Sequence, residues 1–261
     1  MCEACGCSAS DVAGKDAETV AVLHRLLDAN DQTAAHNRAH FNSHRVVAVN
    51  LMSAPGAGKT ALLEATIDAL KDEFHMAVIE GDLETDNDAR RIRARGVPAI
   101  QITTGNACHL DARMVHDALH ELPLFDLDIV FIENVGNLVC PASFDLGQHR
   151  NVVLLSATEG DDKPAKYPVM FRTADLVLLS KMDLAEVLGD FDAARAEQAV
   201  RELANAAPVL SISARKAVKL EIWTGWLRGE VTTIRAAQAV TPLAQGNHYH
   251  RHEHHHSPAV A

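Results

Sequence analysis

The chain has 261 residues, of which 48% are hydrophobic, and a formal charge of -11 at pH 7. This length and apolar content suit one α/β domain with flanking segments, whereas the acidic balance argues against a nucleic-acid partner, whose binding depends on basic patches. No stretch is long and apolar enough to span a membrane, and the N-terminus lacks a basic-then-apolar signal pattern. We therefore expect a cytoplasmic protein with no membrane partner.

Three of the five cysteines lie near the N-terminus, at Cys2, Cys5 and Cys7. An odd number of cysteines in a reducing compartment favours metal ligation over a disulfide framework. Three thiols so close together on a flexible segment can surround one soft metal ion. Residues 1–16 are small and polar without periodicity, so we predict a Cys-rich metal-binding tail over 1–16.

Residues 17–230 alternate apolar runs with helical patterns, after an amphipathic helix predicted around Val20 to Asp28. Runs that are apolar on both faces are typical of parallel strands covered by helices. The pattern predicts an α/β domain with a doubly wound, mostly parallel sheet. The predicted strands are Val46–Met52, Met76–Ile79, Ala99–Ile102, Ile129–Ile132, Val152–Leu155, Leu176–Leu179 and Val209–Ile212. The predicted helices between them are Thr60–Leu70, Asp86–Arg95, Asp111–Leu119, Ala193–Ala204 and Val218–Leu227.

Before the first strand, His36, His40 and His44 recur every four residues. That spacing places them on one face of a helix. We expect this face to be solvated.

A glycine-rich loop, Ser-Ala-Pro-Gly-Ala-Gly-Lys-Thr, follows the first predicted strand and begins a helix, which is the context of a P-loop. Its backbone N–H groups would surround phosphates at the helix N-terminus. Lys59 would contact the β- and γ-phosphates, and the Thr60 hydroxyl would ligate Mg²⁺. Ser53 stands where the first glycine of the motif is usual, at a strand end where a small residue suffices. The expected nucleotide-binding residues here are Gly56, Ala57, Gly58, Lys59, Thr60 and Ala61.

Ser180-Lys181-Met182-Asp183 follows a late strand and resembles the Asn-Lys-x-Asp guanine motif of GTPases. The Asp183 carboxylate would accept hydrogen bonds from guanine N1 and N2, which adenine does not offer, and the Lys181 stem would pack over the base. Ser180 replaces the usual asparagine, which predicts a looser loop or base contact. Ser213 and Ala214 follow the next strand, where GTPases place a loop against the base. We therefore expect GTP rather than ATP.

Acidic residues at two further strand ends predict the switch regions of a GTPase. Glu133 would hold Mg²⁺ through water, and the Gly136 N–H would sense the γ-phosphate. Asp82 is a candidate for orienting the attacking water or approaching Mg²⁺, with Asp86 as a second candidate, although an acidic residue at such a position is also a common helix N-cap. The predicted catalytic residues are Lys59, Thr60, Asp82, Glu133 and Gly136.

Cys108 and His109 precede a predicted helix, and Cys140 lies four residues beyond Gly136. Thiolate and imidazole suit nickel and zinc alike. Three ligands fall short of a closed tetrahedral set, so a site shared between two subunits would supply the remainder. The alternative for either cysteine alone is a small buried apolar residue.

Residues 231–261 lack the pattern of the preceding domain and end in a stretch rich in histidine, from His248 to His256. Such a composition binds metals, although expression tags share it. Because other residues interrupt the tract and Ser257 to Ala261 follow it, we interpret it as native, within a flexible His-rich tail over 231–261.

Together these motifs closely resemble one family, the hydrogenase nickel-incorporation GTPases, HypB. The resemblance extends from Cys2 through Leu227 and includes the Cys-x-x-Cys-Gly-Cys start, the P-loop, Gly-Asn-Ala-Cys-His-Leu at 105–110 and Glu-Asn-Val-Gly-Asn-Leu-Val-Cys-Pro at 133–141. It implies a high-affinity nickel site at Cys2, Cys5 and Cys7. It also implies a weaker nickel or zinc site at the interface of a GTP-dependent homodimer, formed by Cys108, His109 and Cys140.

The family resemblance further implies slow GTP hydrolysis with Mg²⁺ and delivery of nickel into the apo-form of [NiFe]-hydrogenase. The implied partners are a small nickel- and zinc-binding maturation protein and the apo-hydrogenase large subunit. Two alternatives remain open at this point, namely a urease-type nickel GTPase and a nickel store without catalysis. The Cys-rich start and the long segment at 133–141 favour hydrogenase over urease.

Overall fold

The computed structural model describes residues 9–82, 86–105 and 107–240. Its strands are β1 (Val47–Ser53), β2 (Met76–Asp82), β3 (Ala99–Thr103), β4 (Ile129–Glu133), β5 (Arg150–Ser156), β6 (Leu176–Ser180) and β7 (Val209–Ser211). Its helices are α1 (Ala9–Ser43), α2 (Lys59–Leu70), α3 (Asn87–Arg93), α4 (Ala112–Leu119), α5 (Lys163–Lys166), α6 (Pro168–Arg172), α7 (Ala185–Leu188), α8 (Ala193–Glu202) and α9 (Leu220–Val240).

Within this described part, the seven strands form one parallel sheet in the order β3-β2-β4-β1-β5-β6-β7. Strand β1 lies at the centre, between β4 and β5. Parallel strands present their carboxyl ends at one edge, and ligands of such sheets bind in the crevice there. The predicted α/β class, the parallel sheet and all seven predicted strands are confirmed.

Helices cover both faces of the sheet because the strands are apolar on both sides. One face packs on α2, α3 and α9, where Trp223 is fully buried and donates from Nε1 to Thr66 Oγ1 at 2.8 Å. The opposite face packs on α1 and α4 over β2 and β4, and on α6 and α8 over β5 and β6. Each layer thus buries the apolar stripe of its helices against the sheet.

The two terminal helices are longer than the sequence pattern predicts. Helix α1 begins at Ala9, within the segment predicted as tail, and extends beyond the predicted Val20 to Asp28 as far as Ser43. Helix α9 continues to Val240, so the domain does not end at residue 230. Val231 and Ile234 remain buried against the sheet, which is why this helix persists beyond the predicted boundary.

No helix among residues 9–82, 86–105 and 107–240 has the length and hydropathy that crossing a bilayer requires. The predicted ligands Cys2, Cys5 and Cys7 and the histidine tract from His248 to His256 lie outside the described residues.

Candidate nucleotide and metal sites

The glycine-rich loop lies at the carboxyl end of β1 and leads into α2. Gly58 has φ 101°, a left-handed conformation that glycine adopts without steric cost, and it turns the chain into the helix. The Lys59 ammonium donates to Ser53 Oγ at 3.2 Å and lies 4.0 Å from Glu133 Oε1. Ser53 is fully buried, so its small side chain fits where the sequence motif usually has glycine.

Two buried carboxyl groups face the loop from neighbouring strands. The Thr60 hydroxyl donates to Glu133 Oε1 at 2.9 Å, and Glu80 lies beside Glu133, with Asp88 completing an acidic cluster. Burial, and secondly the Glu133 charge, raise the pKa of Glu80 to about 11. Burial also raises the pKa of Glu133, against the attraction of Lys59. Glu80 had no predicted role, because its only signal in the sequence is its place at the end of a strand.

A cavity of about 370 Å³ contains the predicted phosphate-contacting groups. Gly56, Gly58, Lys59 and Thr60 line it from the loop, together with Ala61. From the sheet edge the lining includes Glu80, Asp82, Glu133 and Gly136. The structure therefore brings the five predicted catalytic residues to one cavity. Asp86 lies at the N-cap position of α3, where its carboxylate pairs with Arg90 and Arg93 rather than capping the helix.

An adjoining cavity of about 340 Å³ lies at the ends of β6 and β7. Asp183 projects into it and accepts from Ser213 Oγ at 2.6 Å, and this bond is the main reason its pKa is lowered. Lys181 has φ 55° and donates from Nζ to Gly56 O at 2.6 Å. Ala57 and Ala214 line the same cavity. At one end of this cavity an ionised carboxylate is available to a nucleotide base, and at the other end lies the glycine-rich loop.

Ser180 stands where the guanine motif usually has asparagine, and its side chain makes a specific hydrogen bond. Its hydroxyl donates to Ala57 O at 2.7 Å, and the side chain is buried. This bond joins the end of β6 to the phosphate loop. The expected loosening of the loop is therefore not visible in the structure.

The segment after β4 packs directly on the phosphate loop. A Cβ atom at Gly136 would lie 2.7 Å from Pro55 Cα, so only glycine allows this approach. The Asn137 N–H donates to Ser53 O at 2.8 Å, and the Asn134 N–H donates to Leu51 O at 3.0 Å. The segment is consequently attached to β1 on both sides of Gly136.

Cys108, His109 and Cys140 come together a short distance along the same segment. Their candidate ligand atoms all lie within 4.8 Å of one another, with the two sulfur atoms 2.9 Å apart as free thiols. Hydrogen bonding with Cys108, and secondly burial, raise the pKa of Cys140. Burial lowers the pKa of His109, which stacks on Phe144 at 3.9 Å and is thus held in the neutral form that binds metals.

Asn137 connects the phosphate loop to these thiols. Its backbone N–H contacts Ser53, while its side-chain amide donates to Cys108 O at 3.3 Å and accepts from the Val139 N–H at 2.8 Å. Asn134 makes a second connection, because its Oδ1 accepts from the Leu110 N–H at 3.1 Å. Neither asparagine had a role predicted from the sequence.

The solvated face expected for His36, His40 and His44 holds for His36, which is exposed, and was wrong for the other two, which are half-buried. His40 is half-buried rather than solvated, and its ring lies 5.2 Å from that of His44 and 5.9 Å from that of His36. Helix α4, which packs against α1, explains the burial.

A parallel α/β sheet with a P-loop at its central strand and a carboxylate in the adjoining base cavity defines a P-loop nucleotide-binding protein of the GTPase type. A family model described as "CobW/HypB/UreG, nucleotide-binding domain" matches residues 47–211. The hydrogenase maturation factor HypB of Escherichia coli (strain K12) is 52% identical over 202 residues, which cover 77% of this chain and 69% of that protein. The chain therefore belongs to the CobW/HypB/UreG family and, within it, to the HypB hydrogenase maturation factors.

Solved structures agree with this assignment. HypB from Helicobacter pylori in complex with nickel has a TM-score of 0.75 and 43% identity, covering 78% of this chain and 95% of that one. HypB from Archaeoglobus fulgidus has a TM-score of 0.74 and 38% identity, covering 78% and 100%. The signal recognition particle 54 kDa protein of Aeropyrum pernix, at 11% identity and a TM-score of 0.50 over 74% of this chain and 49% of that one, shares the fold alone.

Proposed function

We propose that this protein hydrolyses GTP and uses the GTP cycle to deliver nickel into apo-[NiFe]-hydrogenase. The observation that carries the proposal is the segment from Glu133 to Cys140, which joins the phosphate cavity to a thiol and imidazole cluster through Asn137. Membership of the hydrogenase maturation factors and the nickel complex of the H. pylori relative support it. We also place the protein in the cytoplasm, where such thiols stay reduced.

The donor set beside the P-loop fits Mg²⁺. Oxygen ligands are those that this ion prefers, and Glu80 Oε2 and Glu133 Oε2 are buried without a hydrogen-bond partner among the described residues. Thr60 and Glu133 would hold the ion, with Glu80 close by. When bound, Mg²⁺ neutralises charge that develops on the transferred phosphoryl group. Lys59 adds a further positive charge, and Asp82 would orient the attacking water.

Intrinsic hydrolysis should be slow. Arg91 lines the phosphate cavity, but its guanidinium is paired with Glu64 and Asp88. Without an arginine aimed at the phosphates, GTPases of this fold turn over slowly.

For the internal metal site we propose nickel or zinc, with nickel as the transferred cargo. Three ligands per chain leave one coordination position of a tetrahedral ion unfilled. A GTP-dependent homodimer would bring two clusters together and complete the set. The remaining partners that we propose are a small nickel- and zinc-binding maturation protein and the hydrogenase large subunit.

Phosphate release tests the catalytic part. Lys59→Ala should abolish GTP hydrolysis, because no other cationic side chain among the described residues can replace the Lys59 ammonium in the phosphate cavity. Lys71→Ala, at the exposed opposite end of α2, is the matched control and should hydrolyse GTP normally. A Lys59→Ala variant as active as the control would refute the assignment, and an unmodified protein without turnover would favour a nickel store.

Nickel titration tests the coupling. In a full-length Cys2→Ala, Cys5→Ala, Cys7→Ala variant with the tail histidines replaced by asparagine, nickel affinity should differ between GDP and a non-hydrolysable GTP analogue. Linkage requires that nickel change nucleotide affinity by the same factor, typically about 5–150-fold. Cys140→Ser should remove the difference. Identical titrations in the two nucleotides would contradict a nucleotide-gated site.

A further inference from the structure

Five histidines meet where α1 packs on α4, and the function proposed above uses none of them. On α1, His36 and His40 are four residues apart, and His44 follows just beyond the helix. On α4, His116 and the C-cap residue His120 repeat the same spacing. Residues four apart lie on one helical face, so each helix turns a pair of imidazoles toward the other.

Four of the rings form a closed quadrilateral. Ring centres are 5.9 Å apart for His36 and His40, and 4.7 Å apart for His116 and His120. Between the helices, His36 lies 5.1 Å from His116, and His40 lies 6.0 Å from His120. Four imidazoles bound to a tetrahedral ion through bonds of about 2.0–2.1 Å have ring centres about 5 Å apart. The four measured ring separations are close to this value, but no three of these histidines have nitrogen atoms that all lie within 4.8 Å of one another, so side-chain rotation must bring the ligand atoms together.

The contacts of the ring nitrogens differ from one histidine to the next. His40 Nδ1 is buried and has no hydrogen-bond partner among the described residues, whereas buried polar atoms are normally paired. His116 Nε2 and His120 Nε2 lie 3.2 Å apart, so two potential ligand atoms already point at each other. His116 Nδ1 contacts Asn37 Oδ1 at 3.1 Å, and such a contact orients the ring of a metal-binding histidine.

The surroundings favour neutral imidazole, which is the ligand form. Burial, followed by the neighbouring histidines, lowers the pKa of both His40 and His116. The Asp117 charge opposes this shift at His116, but Asp117 is also paired with Arg113 at 3.1 Å, and the Arg113 charge lowers the pKa of His116.

We propose that His36, His40, His116 and His120 form a further binding site for a divalent transition-metal ion, with His44 as an adjacent ligand. Imidazole suits nickel, copper and zinc. Rotation of the rings about their own side-chain bonds is the change that binding requires. The site uses neither thiols nor nucleotide, so it does not depend on the proposed function.

Nickel titration of a full-length background tests the site. In this background the five cysteines become serine, and His109 and the six tail histidines become asparagine, which removes the thiol and imidazole ligands of the other candidate sites. It should bind one nickel ion, with imidazole nitrogen scattering in X-ray absorption. His36→Gln with His120→Gln should weaken that binding at least tenfold, and because both side chains are exposed the fold should persist. His24→Gln with His75→Gln, also exposed, is the matched control and should leave binding unchanged.

Labelling of the unmodified protein gives an independent test that needs no variant. Nickel should protect His36 and His120 from diethyl pyrocarbonate, as mapped by mass spectrometry, while His24 and His75 stay reactive. A background that binds no nickel would overturn the proposal. So would equal binding by the His36→Gln, His120→Gln variant and its control, or a lack of protection.

Discussion

At the scale of single residues, we propose that one carboxylate determines a preference for guanine. Asp183 is held ionised in the base cavity by Ser213. We expect Asp183→Asn to reduce GTP affinity more than tenfold and to leave ATP affinity nearly unchanged, because the amide presents a donor to the donors of guanine. Titration with fluorescent nucleotides measures both. Asp190→Asn, on the exposed loop beyond α7, should retain the preference, and equal GTP and ATP binding by the unmodified protein would contradict the role.

Glu80 gives the nucleotide-free protein a distinct pH dependence. Its folded-state pKa is raised from 4.5 to about 11, so the protonated carboxyl favours the fold at low pH. This contribution to stability is lost as the pH rises from about 4.5 towards 11. In EDTA, the melting temperature should fall between pH 5 and pH 9, and Glu80→Gln should reduce the slope because glutamine cannot ionise. The exposed Glu121→Gln should keep it. Parallel profiles for Glu80→Gln and the unmodified protein would argue against a buried acid.

Most residues of the candidate nucleotide site are predictable from sequence because their positions depend on local spacing. Lys59 and Thr60 follow the loop in fixed order, and Asp183 follows its strand in the same way. Glu80 and Asn137 are different, since their roles come from contacts with residues distant in the chain. Only the sheet order places β2 beside β4 and so brings Glu80 to Glu133.

At the scale of elements, the contact between the segment after β4 and the phosphate loop depends on glycine at position 136, which has no side chain. Gly136→Ala would place a methyl group against Pro55 backbone atoms. Such overpacking typically costs about 1–3 kcal/mol, and we expect GTP hydrolysis to fall at least tenfold. Gly229→Ala is the matched control, because nothing lies within 4 Å of its added methyl group in α9. It should stabilise the fold by up to about 1 kcal/mol through helix propensity. Normal hydrolysis by Gly136→Ala would disprove the close contact.

Helix ends are the part of the secondary structure that sequence patterns locate least well. The polar composition before Val20 does not reveal that α1 begins at Ala9. Similarly, α9 passes residue 230 because Val231 and Ile234 pack on the sheet. Strands were predicted more closely because burial on both faces makes each one a continuous apolar run.

At the scale of the whole molecule, the nucleotide site and the cluster of Cys108, His109 and Cys140 should behave as one coupled system. Asn137→Ala removes the side-chain bond to Cys108 O but keeps the backbone bond to Ser53. We expect the ratio of nickel affinities in GTP analogue and GDP to approach one, with hydrolysis retained. Asn205→Ala removes comparable side-chain bonds, to Phe171 O and Ala174 O, and should leave the ratio intact. An unchanged ratio in Asn137→Ala would show that coupling takes another route.

The position of β1 has a consequence for synthesis on the ribosome. This strand is made before the others, yet its partners β4 and β5 lie far along the chain. Sheets with such non-local pairing fold slowly. Apolar strands that stay exposed until their partner strands are made are prone to aggregate. The base cavity needs Asp183 and Ser213, which emerge later still. A nascent chain therefore acquires its base cavity only after Ser213 has emerged, and we expect GTP to stabilise the folded domain rather than to guide its early folding.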